Sequence, residues 1–202
     1  RAGELPAITS VSGARLSGTF PITEGMRISD LVAVAGGVTP NYADLDFALM
    51  VREELSDMSE IKVLPVNLRG ALETKGGADD YLIQPKDRLM LFSINEDRNG
   101  RLSGIVSELR NQVKLSKPAR IVSVTGGVRY GGTYPLTEGM SIKDLINAAG
   151  GFNELTDIEY SLLVREDSSE NNEIKVLPIN LGKALADKGH SDNHLMQPRD
   201  RL

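Results

Sequence analysis

The stretch GTFPITEGMRISDL at 18–31 returns at 132–145 as GTYPLTEGMSIKDL, identical at 10 of 14 positions. IKVLPVNL at 61–68 returns as IKVLPINL at 174–181, identical at 7 of 8, and LIQPKDRL at 82–89 as LMQPRDRL at 195–202, identical at 6 of 8. The order is kept, and the copies stay 113 or 114 residues apart. No other feature constrains the chain so tightly. A length of 202 residues allows one large domain or two of about 100, and the duplication chooses two copies of one domain. We place them at residues 1–95 and 118–202, with residues 96–117 as a helical connector.

Each copy reads the same way locally. ITSVSGARLSGTFPI and IVSVTGGVRYGGTYPL are pairs of short strands around a glycine-bearing turn. Ile28, Leu31, Val32 and Ala35 follow at helical spacing and share one face. Ser141 and Asp144 form a capping-box pattern in the second copy, and Gly36-Gly37 and Gly150-Gly151 supply the helix stops. ALMVRE and SLLVRE are expected as strands, as are the two IKVLP segments. Pro65 and Pro178 cannot donate to a ladder, so those last strands belong at a sheet edge or a bulge. LRGALE and LGKALA suggest a short helix, and QPKDRLMLF turns at its proline into a final strand. The expected fold class is α+β: two tandem β-grasp-like domains, each a mixed sheet packed by one helix. The second copy reaches Leu202 where the first runs on through Met90, Leu91 and Phe92, so its last strand is expected to be cut short. Between the copies, Leu102, Ile105, Val106, Leu109 and Val113 keep helical spacing, which predicts a connecting helix over roughly 101–115.

Composition removes several function classes. The net charge is −5 and the basic residues are scattered among acidic ones, whereas nucleic-acid binding needs a basic stripe to neutralise phosphates. The longest apolar runs, such as Leu31–Ala35, are far shorter than the ~20 residues of a membrane span. With no cysteine, thiolate catalysis, cysteine-ligated zinc and disulfides are out of reach. The chain opens at Arg1 without a methionine and reads as part of something longer.

The hairpin V-x-G-x-V/A-R-x-x-G-T-Y/F-P-L, the helix closing in AGG and the late Q-P-x-D-R-L turn resemble the SLBB family, the soluble ligand-binding β-grasp domains. Tandem copies joined by LSGIVSELRNQ look most like the long polysaccharide-export proteins of Gram-negative envelopes. The resemblance implies a periplasmic, outer-membrane-associated setting and a role in moving capsule or exopolysaccharide outward. The partners it implies are further copies of the chain in a homo-oligomer, the envelope export machinery and a polysaccharide.

No pattern in the chain suits catalysis, and neither a cofactor nor a metal is expected. His190 and His194 lie four apart in GHSDNHL, but that composition is a turn's, and the first copy has Gly77 and Tyr81 at the same places. The segments SGARLSG and GGVRYGG lead into strands, unlike a phosphate-binding loop before a helix. The pairs Arg15/Arg129, Arg52/Arg165, Asp87/Asp200 and Arg88/Arg201 are identical between copies. As ligand groups, Arg15, Arg52, Arg129 and Arg165 would be guanidinium forks for acidic sugars or carboxylates, with Tyr130 beside Arg129 as a stacking ring. As structural groups they would hold each module's own turns, and duplication favours that, since both copies must fold but need not both bind. Phe20/Tyr134 and Phe47/Tyr160 are expected in the core, which leaves Tyr42, Tyr81, Tyr130 and Phe152 as exposed rings. The favoured function is a non-enzymatic export segment that packs against neighbours along the polymer route. The alternative is a module that binds an oligosaccharide or small molecule directly, in a pocket containing Arg129 or Tyr130. An accessory domain of a respiratory enzyme is disfavoured by the lack of cysteine for iron–sulfur ligation.

Overall fold

The structure is a computed structural model and describes residues 8–54, 60–113, 118–154, 156–166, 173–187 and 189–202. Contacts divide the chain into two units, Arg1–Glu96 and Asp97–Leu202. Both are α+β.

The first unit runs β1 (Ile8–Ser12), β2 (Gly18–Pro21), α1 (Ile28–Val34), β3 (Ala43–Glu53), β4 (Ile61–Val66), α2 (Leu68–Glu73) and β5 (Arg88–Ser93). These strands form one sheet in the order β2-β1-β5-β3-β4. β1 and β5 are parallel at its centre and the other pairs are antiparallel. This is the β-grasp arrangement expected from the sequence. Pro65 lies on β4, the edge strand, opposite Leu49 of β3, the kind of position where a proline is tolerated. The four α1 positions expected to share a face, Ile28, Leu31, Val32 and Ala35, are all buried, against Val11, Met50, Leu89 and Leu91 of the sheet.

The second unit runs α3 (Arg98–Asn111), β6 (Ile121–Val124), β7 (Gly132–Pro135), α4 (Ile142–Ala148), β8 (Ser161–Glu166), β9 (Ile174–Ile179) and α5 (Leu181–Ala186). Its two hairpins, β6-β7 and β8-β9, are joined through Arg201, which bridges parallel to Ser123 and antiparallel to Val164. Arg201 and Leu202 thus take the place of Arg88 and Leu89 in the first unit. The capping box at the start of α4 is present: the Ser141 amide donates to Asp144 Oδ2 at 2.9 Å, and the Asp144 amide to Ser141 Oγ at 3.4 Å. The paired glycines after α1 and α4 all take positive φ.

The helix between the copies begins and ends earlier than the apolar stripe suggested. The Asp97 side chain accepts from the Asn99 amide at 3.0 Å and caps α3, which starts at Arg98, three residues before the expected start. Leu102, Ile105, Val106 and Leu109 are buried and α3 packs on β7, but Val113 lies beyond the helix, 43% exposed. Positions 114–117 of the expected connector lie outside the described residues.

Candidate functional site

Arg52 sits near the end of β3 and Asp87 closes the Gln84–Asp87 turn before β5. Asp87 is fully buried and accepts from Arg52 Nε at 3.0 Å, Arg52 Nη2 at 2.7 Å and the Gln84 amide at 2.8 Å. Arg52 Nη2 also donates to the Leu82 carbonyl at 2.8 Å. The second unit repeats this clamp. Arg165 donates to the buried Asp200 through Nε at 2.9 Å and Nη2 at 2.6 Å, and to the Leu195 carbonyl at 2.8 Å. The Gln197 amide completes it at 2.8 Å. The carboxylate is buried and the guanidinium's polar edge is spent on the fold. Arg52 and Arg165 therefore present little to a ligand. Arg201, one residue on, is exposed and pairs with Glu166 at 3.5 Å.

Arg15 and Arg129 occupy the opposite end of each sheet. β1 starts beside the clamp, where the Lys86 amide donates to the Ile8 carbonyl at 2.8 Å, and runs towards the loop that carries Arg15. That loop is tied to the end of the helix. Arg15 and Leu16 amides donate to Gly37 and Ala35 carbonyls, as Arg129 and Tyr130 amides do to Gly151 and Ala149. Both arginine side chains are exposed and Tyr130 is half-buried. Within each unit, then, the structure separates the two arginines that the sequence offered together. The Tyr130 ring lies over Gly150, and the Arg98 guanidinium sits 6.0 Å from its centroid. The Tyr134 hydroxyl donates to the Tyr130 carbonyl, and burial pushes that phenol up to about 12.

A buried carboxylate escaped the sequence reading. Asp80 is fully buried and accepts from the Ser29 amide and hydroxyl, both at 2.9 Å, and from the Gly76 amide at 2.8 Å. It ties the second turn-rich loop to the start of α1, where an anion meets the helix's free amides and positive end. The second unit has Asn193 at this position, which accepts from the Lys143 amide at 3.0 Å. A carboxylate replaced by its amide across the repeat could have signalled a shared capping role. His190 Nδ1 accepts from the Asp192 amide at 3.1 Å. Among the described residues no cluster of acidic and histidine side chains could hold a metal.

A cleft of ≈ 280 Å³ opens in the second unit between Val124–Val128, Ile146, Phe152, Tyr160 and Leu202. Arg129 and Tyr130 do not line it. In the first unit β5 runs through the corresponding place. A Cβ on Gly13 would fall 2.0 Å from the Leu91 carbonyl oxygen, whereas its counterpart Gly126 has nothing within 4 Å. Phe47 rests on Phe92 with ring centroids 5.2 Å apart. Tyr160, the counterpart of Phe47, is 62% exposed at the rim of the cleft and not in the core as its pairing with Phe47 suggested. Tyr42 is exposed as expected, while Tyr81 packs partly against the core.

A second contrast between the copies lies on β8 and β9. Leu162, Ile174 and Val176 are 39%, 62% and 52% exposed. Val176 pairs with Val164, Ile174 with Glu166 and Leu162 with Pro178, so the three side chains share one face. Their first-unit counterparts, Leu49, Ile61 and Val63, are buried.

The SLBB domain family model matches the chain twice, at residues 17–52 and 121–170. Each match includes the hairpin's second strand, the helix, its glycine stop and the clamp arginine, Arg52 or Arg165. The two matches are consistent with tandem SLBB domains. No curated protein matches it. SLBB domains are binding modules associated with polysaccharide export, and they occur in periplasmic export proteins.

Proposed function

We propose that this tandem pair of SLBB domains is a non-enzymatic, periplasmic segment of a capsule or exopolysaccharide export protein. It acts by packing against copies of itself and against envelope machinery along the polymer route. The observation that carries this reading is the pair of SLBB matches, and the apolar strip Leu162, Ile174 and Val176, exposed on one face of a hairpin among the described residues, is the candidate contact. Grouped exposed aliphatic side chains favour burial by a partner, at roughly 25 cal/mol per Å² of apolar surface covered. The shared pairs Arg52–Asp87 and Arg165–Asp200, by contrast, are turned inward as clamps. No described helix is long and apolar enough to cross a membrane.

These 202 residues hold no cysteine, so one introduced here marks a single place in the segment. A single Val176→Cys in the intact protein should give crosslinked homo-oligomers, and deleting the segment should impair export. An intact protein that stays monomeric, together with export untouched by the deletion, overturns the proposal. The alternative of direct ligand binding draws support from the exposed Arg15 and Arg129 at the hairpin ends, the latter next to Tyr130. Titration calorimetry with acidic oligosaccharides, showing saturable heat that Arg129→Ala or Tyr130→Ala abolishes, would favour that reading instead.

A further inference from the structure

The second unit shows what this module does with the edge formed by its hairpin and helix end. α3 lies along β7, and Arg98 at its first turn is 1% exposed. Arg98 Nη1 donates to the carbonyls of Asn147 at 3.1 Å and Ala148 at 2.6 Å, at the C-terminal end of α4, where the helix dipole is negative. Asn99 Nδ2 donates to the Gly131 carbonyl at 2.7 Å, and a Cβ on Gly132 would meet Asn99 Oδ1 at 1.7 Å. Beneath this helix Tyr134 is 1% and Ala148 0% exposed, and Pro135 is buried.

Among the described residues, the first unit builds the same edge from a similar sequence and leaves it exposed. Val34, the counterpart of Ala148, is 56% exposed, and Leu16, the counterpart of Tyr130, is 60% exposed. Pro21 is exposed, Phe20 is half-buried, and a Cβ on Gly18 would meet nothing within 4 Å. The apolar side chains are in place and the backbone ties between loop and helix end are identical.

We infer that the β2 and α1 edge of the first unit is the seat of an amphipathic helix of the α3 kind, supplied by the same polypeptide one repeat period before α3. Its apolar stripe covers Leu16, Phe20 and Val34. An arginine in its first turn caps the carbonyls at the end of α1, as Arg98 caps α4. The repeating unit is then a helix followed by a β-grasp domain, so the connector is part of the module it precedes. This inference does not rest on the export reading, because it concerns one unit's own completion.

The test grafts a duplicate of residues 97–120 in front of Ile8 in the 202-residue chain. Hydrogen exchange of the β2 and α1 amides should slow at least tenfold, and Val34→Glu, at an already exposed position, should restore the faster exchange. In parallel, a synthetic peptide of residues 97–112 added to the unmodified chain should shift the resonances of Leu16 and Val34 saturably. Should the grafted chain fail to fold, the peptide decides alone. Unchanged exchange, protection indifferent to Val34→Glu, or absence of peptide binding overturns the inference. So does self-association of the unmodified chain that Val34→Glu dissolves, since the seat would then belong to a second copy.

Discussion

Asp87 and Asp200 show how a repeated residue earns its identity. Each carboxylate is fully buried, and its charge is tolerable only because an arginine fork and a backbone amide meet it. Removing one partner leaves the other charge buried and unpaired. Asp200→Asn should therefore destabilise the second unit by about 3–5 kcal/mol, and the Arg165→Met, Asp200→Asn double variant by less than the sum of its singles. Urea midpoints measure both, and a loss below about 1 kcal/mol for Asp200→Asn would show that the clamp is ornamental. Tyr134 gives a second residue-scale prediction through pH. Burial raises this phenol to about 12, above the ordinary value of about 10. Between those values the unfolded chain has released a proton that the folded chain still holds. The associated stability is complete below the lower value and is lost as pH rises through the upper one, by about 2–3 kcal/mol. Tyr134→Phe cannot titrate, so its stability should fall less between pH 9 and about 11.5 than the parent's, with lysines and other tyrosines cancelling in the comparison.

At the scale of elements, the glycine pairs that end α1 and α4 look equivalent in sequence but meet different surroundings. Gly150 has φ +77 and a Cβ there would fall 2.5 Å from the Tyr130 ring, while Gly151 has φ +83 and nothing within 4 Å. Gly151→Ala should cost about 1–2 kcal/mol, the strain of a left-handed alanine. Gly150→Ala should cost about 1–3 kcal/mol more, because the ring must move, and Tyr130→Ala should recover part of that excess. In the first unit a Cβ on Gly36 finds its nearest atom at 3.4 Å, so Gly36→Ala and Gly37→Ala should differ far less. Thermal melts of the four variants would show this pattern, and equal losses at all four sites would contradict it. Local signals of this kind were legible in the chain: the glycine stops, the Ser141–Asp144 box and the edge prolines follow from backbone chemistry within a few residues. The start of α3 was not, because the apolar stripe begins at Leu102 whereas the cap is Asp97 and the first buried side chain is a charged one, Arg98. An arginine that caps the helix of a distant segment looks like any surface arginine in sequence.

Across the whole molecule, duplication made the fold readable and disguised the surface. Arg52 and Arg165, identical in both copies, make the same internal clamp twice, whereas Arg15 and Arg129, equally identical, are exposed. Exposure does not follow the repeat. Phe47 and Tyr160, or Val63 and Val176, are near-equivalents in sequence, yet Val63 is 5% and Val176 52% exposed. What covers a side chain depends on elements far along the chain, and no local pattern carries that information. The contrast makes a paired experiment possible. Val63→Lys puts an ammonium into a buried site and should unfold the first unit or cost several kcal/mol, since a buried lysine must shed its hydration or its charge. Val176→Lys puts the same group on an open strand and should change the melting of the chain by no more than about 0.5 kcal/mol. If the strip on β8 and β9 is the contact through which copies pack, Val176→Lys should nevertheless abolish association of the intact protein in sedimentation, through like charges placed at a two-fold contact or through desolvation at a heterologous one. Association that survives Val176→Lys and Ile174→Lys together would remove this face from the assembly, even with the fold and its clamps unchanged.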